Sequence, residues 1–453
     1  MSTELNQQAA AALAALEGGD PVRAARLFEA LLPWVADHPE LAYNLGNCRQ
    51  QLGEPALALA AYDLALNQRP DYLKALFNRG NSLRDLERLP EALACFRQVL
   101  CRDPALALAY NNLGSVLTEQ GRDGAAERAF RLALGLEDCG DYRFNLAHSL
   151  LRQGCWAEGW HHYEGRWWMS RPLTAPPLGS LPRWPGDSLA GRSLLVWAEQ
   201  GLGDTLQFCR YLRWLPRPRG PVWLRVPAGL VSLCRQLDPE LRVIADSDPL
   251  PASLDCHIPL LSLPGLLEPE GVPRPLAGPY LRAEPCALPP GRPGLRIGLV
   301  WGTGRRTEPG LWQIYRRKSL PLAELLPAVA GLPGQLYSLQ LGEDRQQLQD
   351  LPPGQVIDLA PQLTDFAATA AAMAALDGIV SVDTAACHLA AALGKPTFTL
   401  LCFAADWRWQ AAGEETLWYP TMRLLRQRQP GDWASALADL PRHLVTLPPA
   451  SLV

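Results

Sequence analysis

The stretch SVDTAACHLAAALGKPTFTLL, residues 381–401, sets strand and helix signals back to back. A β-rich apolar run at 378–382 stops at Asp383. Thr384 then opens a helical pattern, 384–393, whose first turn holds only small residues. A second β-rich run follows at 396–401. Strand, helix and strand in this order imply a βα unit of a parallel sheet. The start of such a helix also has chemistry. Its first N–H groups lack intrahelical partners, and with the Thr384 hydroxyl they form an anion site. Ala385 lies in that first turn. His388, one turn in, is placed to add a donor to the same phosphate. Two plainer roles stay open: Asp383 as a helix cap, and His388 as a satisfied core histidine.

Outward from this unit the alternation continues. Further β-rich runs lie at 295–301, 335–340 and 356–359, and a helical pattern at 365–376. Another set lies at 193–198, 221–226, 241–245 and 255–259. Pro-rich stretches at 171–191 and 273–293 bracket that set. The expected division is a linker at 171–192, a first α/β half at 193–285 and a second at 286–453. Ligands of such sheets sit beyond the carboxyl ends of the strands, so a cleft between two halves suits a nucleotide-linked substrate.

Loops after the strands are the candidate chemistry. Gly201-Leu202-Gly203-Asp204 follows the run at 193–198. The glycines allow a tight turn and close approach of a ligand to backbone, and Asp204 stands where the next helix starts. A capping aspartate is the alternative. Trp301-Gly302-Thr303-Gly304 follows the run at 295–301, and cations come next: Arg305-Arg306, then Arg316-Arg317-Lys318-Ser319. Glycine-flexed backbone with nearby cations suits a phosphate or diphosphate. A solvated surface loop is the alternative. Trp407, Trp409, Trp418 and Tyr419 either stack on a base or sugar or fill the core.

Ahead of all this lies a periodic array at 1–170. Gly46, Gly80 and Gly114 are evenly spaced, as are Asn44, Asn78 and Asn112. Ala58, Ala92 and Ala126 keep the same step, and so do Tyr62, Phe96 and Phe130. The pattern resembles the tetratricopeptide repeat. A first unit at about 5–40 and a degenerate, Trp-rich last unit at about 142–170 flank the three clear ones. Such repeats stack into a solenoid whose concave face binds protein. Asn145 continues the asparagine series. A column of amides can bond the backbone of an extended peptide, since each amide offers donors and an acceptor. Bracing the helix packing is the other use of such a column.

A net charge of −4 provides no global basic field for nucleic acid. No apolar run is long enough for a membrane span, and the start MSTELNQQAA lacks the features of a secretory signal. Eleven scattered cysteines without a CxxC pair suggest reduced thiols and a cytoplasmic setting.

Taken together, these residues resemble a GT-B glycosyltransferase. VDTAACHLAAALGKPT is similar to the Asp-Thr-Gly-x-x-His-Leu-x-x-Ala segment of the lipopolysaccharide heptosyltransferases, which binds the donor diphosphate; the resemblance carries that role to Asp383, Thr384 and His388. GLGD is similar to that family's first loop, whose aspartate is the proposed catalytic base, here Asp204. RRKSLPLAEL is similar to its Lys-x-Trp-Pro segment, whose lysine contacts the donor phosphates, here Lys318. The order of repeats and then a GT-B pair resembles the O-GlcNAc transferases and the flagellin glycosyltransferases. The resemblance implies an N-terminal α-solenoid followed by two Rossmann-like α/β domains. It implies a sugar moved from a nucleotide-sugar co-substrate to a hydroxyl of a protein held by the repeats, with no cofactor and no metal. The Asp246-Ser-Asp248 triplet is weak evidence for a metal. The sequence departs from the family at Ala385, where glycine is usual, at Leu320-Pro321 in place of Trp-Pro, and in a short first half. A transferase acting on a saccharide or lipid, and an inactive repeat scaffold, are the competing expectations.

Overall fold

A computed structural model describes residues 3–34, 38–171, 179, 181–217, 220–268, 270–304 and 311–447. The chain divides into two units, residues 1–149 with 306–314, and residues 150–305 with 315–453.

The first unit is a run of paired helices. They are α1 (Thr3–Glu17), α2 (Pro21–Leu31), α3 (Pro39–Gln51), α4 (Pro55–Gln68), α5 (Leu73–Asp85), α6 (Leu89–Arg102), α7 (Ala107–Glu119) and α8 (Asp123–Leu136). The start of α9 (Gly140–Arg152) follows. Each helix packs on the next, and α5 also touches α3 and α7, the matching helices of its neighbours. Proline opens α3 and α4, where its missing N–H is no loss. The periodic residues explain the pairing. Ala58, Ala92 and Ala126 are fully buried. A Cβ on Gly46, Gly80 or Gly114 would fall 2.4, 2.9 or 2.6 Å from a ring carbon of Tyr62, Phe96 or Phe130. The aromatic ring of each second helix thus lies on a glycine of the first. Gly114→Ala is expected to cost about 1–3 kcal/mol by overpacking. Urea unfolding checks this; an unchanged midpoint would mean the Phe130 ring moves aside freely.

The second unit opens with α10 (Trp156–Tyr163) and a 3₁₀ turn at Glu164–Trp168. Four parallel strands follow, β1 (Leu194–Trp197), β2 (Val222–Val226), β3 (Leu241–Ala245) and β4 (Cys256–Pro259), in the order β3-β2-β1-β4. The helices α11 (Leu202–Phe208), α12 (Val231–Cys234) and α13 (Leu263–Leu267) accompany them. The second sheet holds β5 (Leu295–Val300), β6 (Gly334–Ser338), β7 (Val356–Asp358), β8 (Gly378–Val382), β9 (Thr397–Leu401) and β10 (Met422–Arg426). Its order is β10-β9-β8-β5-β6-β7, again all parallel. With it run α14 (Leu311–Lys318), α15 (Leu322–Val329), α16 (Phe366–Ala374), α17 (Ala385–Ala392), α18 (Trp433–Leu437) and α19 (Leu440–Leu444). Strands β8 and β9 are buried along their whole length, as in a sheet covered on both faces. Their core partners include Leu320, Leu325, Trp433 and Leu440.

Nine expected strands are present within two residues at each end; β10 was not foreseen. The Pro-rich stretch at 273–293 is pinned rather than loose: Tyr280 and Leu281 donate their N–H groups to Ala392 O, and Cys286 N–H to Ala371 O. Of the expected linker, residues 172–178 and 180 lie outside the described residues. The Trp-rich tail of the last repeat belongs with the α/β unit, where Trp160 meets Trp407 at 5.2 Å and Trp156 meets Trp418 at 6.1 Å, both edge to face. No helix is long and apolar enough to cross a membrane among the described residues.

Candidate active site

Strand β1 ends at a buried ion pair that anchors the loop after it. Arg166 reaches both carboxylate oxygens of Glu199, at 2.9 and 2.8 Å, and the Ser262 hydroxyl at 2.7 Å. Gly201 then opens α11. Asp204 is not the cap residue itself; it sits three residues further on and takes the Gly201 N–H at 2.9 Å. Its other oxygen is 2.5 Å from Arg408, whose guanidinium also holds Asp406 at 2.7 Å and Gln207 at 2.8 Å. Burial raises the Asp204 carboxyl above its ordinary range, although Arg408 and the Gly201 N–H pull it down. Arg408 thereby ties the first half to the loop after β9.

Strand β8 delivers Asp383. Thr384, not Asp383, caps α17, with its hydroxyl accepting from Ala386 N–H at 3.2 Å. Asp383 instead pairs with Lys318 at 2.6 Å. Burial disfavours both charges, but the pair overrides it: Asp383 lies below the ordinary carboxylate range, and Lys318 is raised by Asp383 and Asp406. The Lys318 side chain stays 26% exposed, so a ligand can reach it. His388 lies against α11: a Cβ on Gly203 would fall 3.0 Å from its Cδ2 and 3.5 Å from Ala385 Cα. Burial, with Arg408 adding to it, pushes the His388 imidazole down to about 3, so it is neutral at ordinary pH.

The loop after β5 closes the far side. Gln340 accepts from the Trp301 and Gly302 N–H groups at 3.0 and 2.9 Å. Gly302 is needed where it stands, since a Cβ there would fall 2.2 Å from Asp344 Oδ2. Thr303 N–H donates to the Ser319 hydroxyl at 3.0 Å, which sets the loop beside Lys318. Arg317 is near enough to Cys402 for its charge to act on that thiol. Arg305 and Arg306 lie outside the described residues.

Asp204, Lys318, Asp383 and His388 therefore share one site, bordered by Gly201, Gly203, Gly302, Thr303, Ser319, Thr384 and Ala385. The aromatic residues do not form a stacking platform. Trp407, Trp409, Trp418 and Tyr419 are at most 3% exposed and fill the core. Arg408, Gln340 and the pair Arg166–Glu199 were not foreseen, since each also has a partner far away in sequence. Asp383, Cys387 and His388 offer ligand atoms within 4.8 Å of one another. Each is already bonded to a neighbour, Lys318, Thr384 O and Tyr419 respectively. Asp248 of the Asp-Ser-Asp triplet takes the Ala245 N–H at 2.8 Å in a turn.

In the repeats the asparagines bond across neighbouring units. Asn78 donates to Asn47 at 2.9 Å, Asn112 to Asn81 at 2.8 Å and Asn145 to Asn111 at 2.9 Å. Asn44, Asn78, Asn112 and Asn145 are all half-buried. The contacts give Asn78, Asn112 and Asn145 a bracing role, and each amide keeps further hydrogen-bonding capacity. Asn47, Asn81 and Asn111 are the other halves of the pairs; Asn47 and Asn81 keep the repeat step themselves, and Asn111 does not continue their series.

Comparison with known proteins agrees with both parts. Residues 9–72 and 77–142 match the tetratricopeptide repeat family. Residues 340–416 match glycosyltransferase family 9 (heptosyltransferase), a span that holds Asp383, Thr384, Ala385 and His388. Protein FlbA of Caulobacter vibrioides is 27% identical over 363 residues, which cover 69% of this chain and 57% of FlbA. The chain thus spans just over half the length of that curated relative. Among solved structures, MamA of Desulfovibrio magneticus is similar at 22% identity and a TM-score of 0.35, covering 36% of this chain and 93% of MamA. A thermophilic repeat protein of Thermus thermophilus is similar at 24% identity and a TM-score of 0.31, covering 35% and 88%. The chain thus carries tetratricopeptide repeats and a segment similar to glycosyltransferase family 9.

Proposed function

We propose that the protein is a nucleotide-sugar-dependent glycosyltransferase of GT-B architecture that modifies a hydroxyl of a protein acceptor. One observation carries this: a reachable, paired Lys318 beside the Thr384-capped start of α17, within and next to the segment similar to glycosyltransferase family 9. In this reading the N-terminal end of α17 and Lys318 stabilise the departing diphosphate, with Thr303, Arg317 and Ser319 alongside. Asp204 takes the proton of the acceptor hydroxyl. Its elevated carboxyl suits a base better than an ordinary surface aspartate does, and such a base typically contributes ~10²–10⁴-fold. The reaction needs no metal and no cofactor beyond the donor. The acceptor is held on the repeats through the spare capacity of Asn44, Asn78, Asn112 and Asn145. Eleven free thiols support a cytoplasmic setting.

The test is thermal unfolding of the full chain with UDP, GDP, CDP, CMP and ADP. One nucleotide at a hundred times its Kd adds about 2.7 kcal/mol, a shift of several degrees. The midpoint should rise with one of these nucleotides and not with the others. No shift with any of them would overturn the reading in favour of a scaffold.

A further inference from the structure

Arg408 spends its guanidinium inside the protein. Its side chain is 9% exposed, and each of the three nitrogens has its own acceptor. Nη2 reaches the Asp204 carboxylate at 2.5 Å, Nη1 the Asp406 carboxylate at 2.7 Å, and Nε the Gln207 amide oxygen at 2.8 Å. Asp204 and Gln207 both stand on α11 of the first half, one turn apart. Arg408 itself belongs to the second half, on the loop after β9. The guanidinium lies over the Trp407 ring, 4.7 Å from its centroid, and Trp418 Nε1–H donates to the Arg408 main-chain oxygen at 2.8 Å. The fork is thus fixed from its own loop and aimed at α11.

The other groups around Asp204 do not replace this cation. Lys318 is committed to Asp383 at 2.6 Å. The Asp406 charge opposes a second carboxylate beside it. His388, whose ring lies against Gly203, is neutral, and burial keeps the Tyr163 hydroxyl protonated. Glu199, at the end of β1, is held by Arg166. Among the described residues Arg408 is the one ion-pair partner of Asp204, and the Gly201 N–H adds a main-chain bond. A carboxylate so deeply placed, without its cation, takes up a proton and is no longer a base. Resting on the transferase reading above, we infer that Arg408 keeps Asp204 ionised and aimed, so that the base is completed by the second half of the α/β unit. The Asp204 side chain stays 17% exposed, which leaves an acceptor hydroxyl a way to it. Because it acts through Asp204, Arg408 is a positioning residue. Lysine does not stand in for it, since one ammonium cannot serve three acceptors as a planar fork does.

Two readouts on the full chain test this. The first needs no substrate: urea midpoints of wild type, Arg408→Met, Asp204→Asn and the double variant, from about pH 4 to about pH 8. In Arg408→Met the folded Asp204 keeps its proton well above about pH 4, where the unfolded chain loses it, so stability falls as pH rises. Asp204→Asn should therefore raise the midpoint of Arg408→Met at about pH 8, change it little at about pH 4, and raise it less in the wild type. Arg408→Met also takes a partner from Asp406, so Asp406→Asn in the same background is the control. Recovery with Asp406→Asn but not with Asp204→Asn would overturn the inference, as would an Asp204→Asn effect that does not depend on pH. Arg408→Gln, which keeps a hydrogen-bond donor but no charge, takes the place of Arg408→Met if that variant does not fold. The second readout is release of nucleoside diphosphate from UDP-glucose, GDP-mannose and ADP-glucose with water as the acceptor. Arg408→Met should move the acid limb of kcat/KM upward by about 1–3 pH units, and Arg408→Lys by less. A rate lowered evenly at every pH, with the limb unmoved, would reduce Arg408 to a structural tie and overturn its role toward the base. If the wild type releases nothing from any of the three, the transferase reading fails, and the urea comparison alone decides whether Arg408 holds Asp204 ionised.

Discussion

Arg166→Met is expected to lower the stability of the α/β unit by about 3–5 kcal/mol, a large share of what a domain of this kind has. The guanidinium and the Glu199 carboxylate are 1% and 2% exposed. Without Arg166, Glu199 would keep, among the described residues, only the Leu261 N–H, at 3.2 Å, as a partner for a buried charge. Ser262 and Glu164 would lose the same cation. The effect should reach the site, because Glu199 is two residues before Gly201 and its partners hold the carboxyl end of β1. Replacing both partners removes the stranded charge along with the bond. Arg166→Met/Glu199→Leu should therefore cost clearly less than Arg166→Met alone. Urea unfolding of the three proteins measures this. A double variant as unstable as the sum of the single ones would show that packing, not the stranded carboxylate, sets the cost.

What could be read beforehand follows from how local each signal is. The repeat step is carried by residues that touch within one unit, Gly80 under Phe96 and Gly114 under Phe130, so the period survives in the chain. Strands β8 and β9 declared themselves because both faces are covered, which forces continuous apolar runs. Strand β10 carries arginines at two of its five positions, Arg423 and Arg426, and closes the edge of its sheet, where that pressure is weaker. The site divides the same way. Asp383 and Thr384 follow from a strand running into a helix. Arg408 does not, since its partners Asp204 and Gln207 are some two hundred residues away. Nor does the neutral state of His388, which depends on its burial and on the charge of Arg408. The aromatic residues were ambiguous for a related reason: composition does not distinguish a ring that stacks on a ligand from one that α10 covers.

Lys318→Met is expected to abolish nucleotide-induced stabilisation and to slow any transfer by about a hundredfold or more, since it removes the paired cation placed against the leaving group in this reading. It should also destabilise the unfilled protein by about 1–3 kcal/mol, less than a fully buried pair, because the ammonium is partly exposed. The two losses separate in a second variant. Lys318→Met/Asp383→Asn removes the stranded carboxylate too, so stability should largely return while nucleotide binding does not. The pH dependence has a definite sign. Asp383 is held below its ordinary range, burial opposing and Lys318 prevailing, so its contribution is present above about pH 4 and lost as pH falls through its folded value. Lys318 is raised, burial again opposing, so its share is complete below about pH 10 and is lost only as pH rises through its still higher folded value. The stability gap between wild type and Lys318→Met should therefore be largest at neutral pH and close on the acid side, starting where the stranded Asp383 of the variant takes up a proton. A gap that stays fully open down to about pH 2 would assign the loss to a group other than this pair. Restored nucleotide binding in the double variant would remove Lys318 from the donor site altogether.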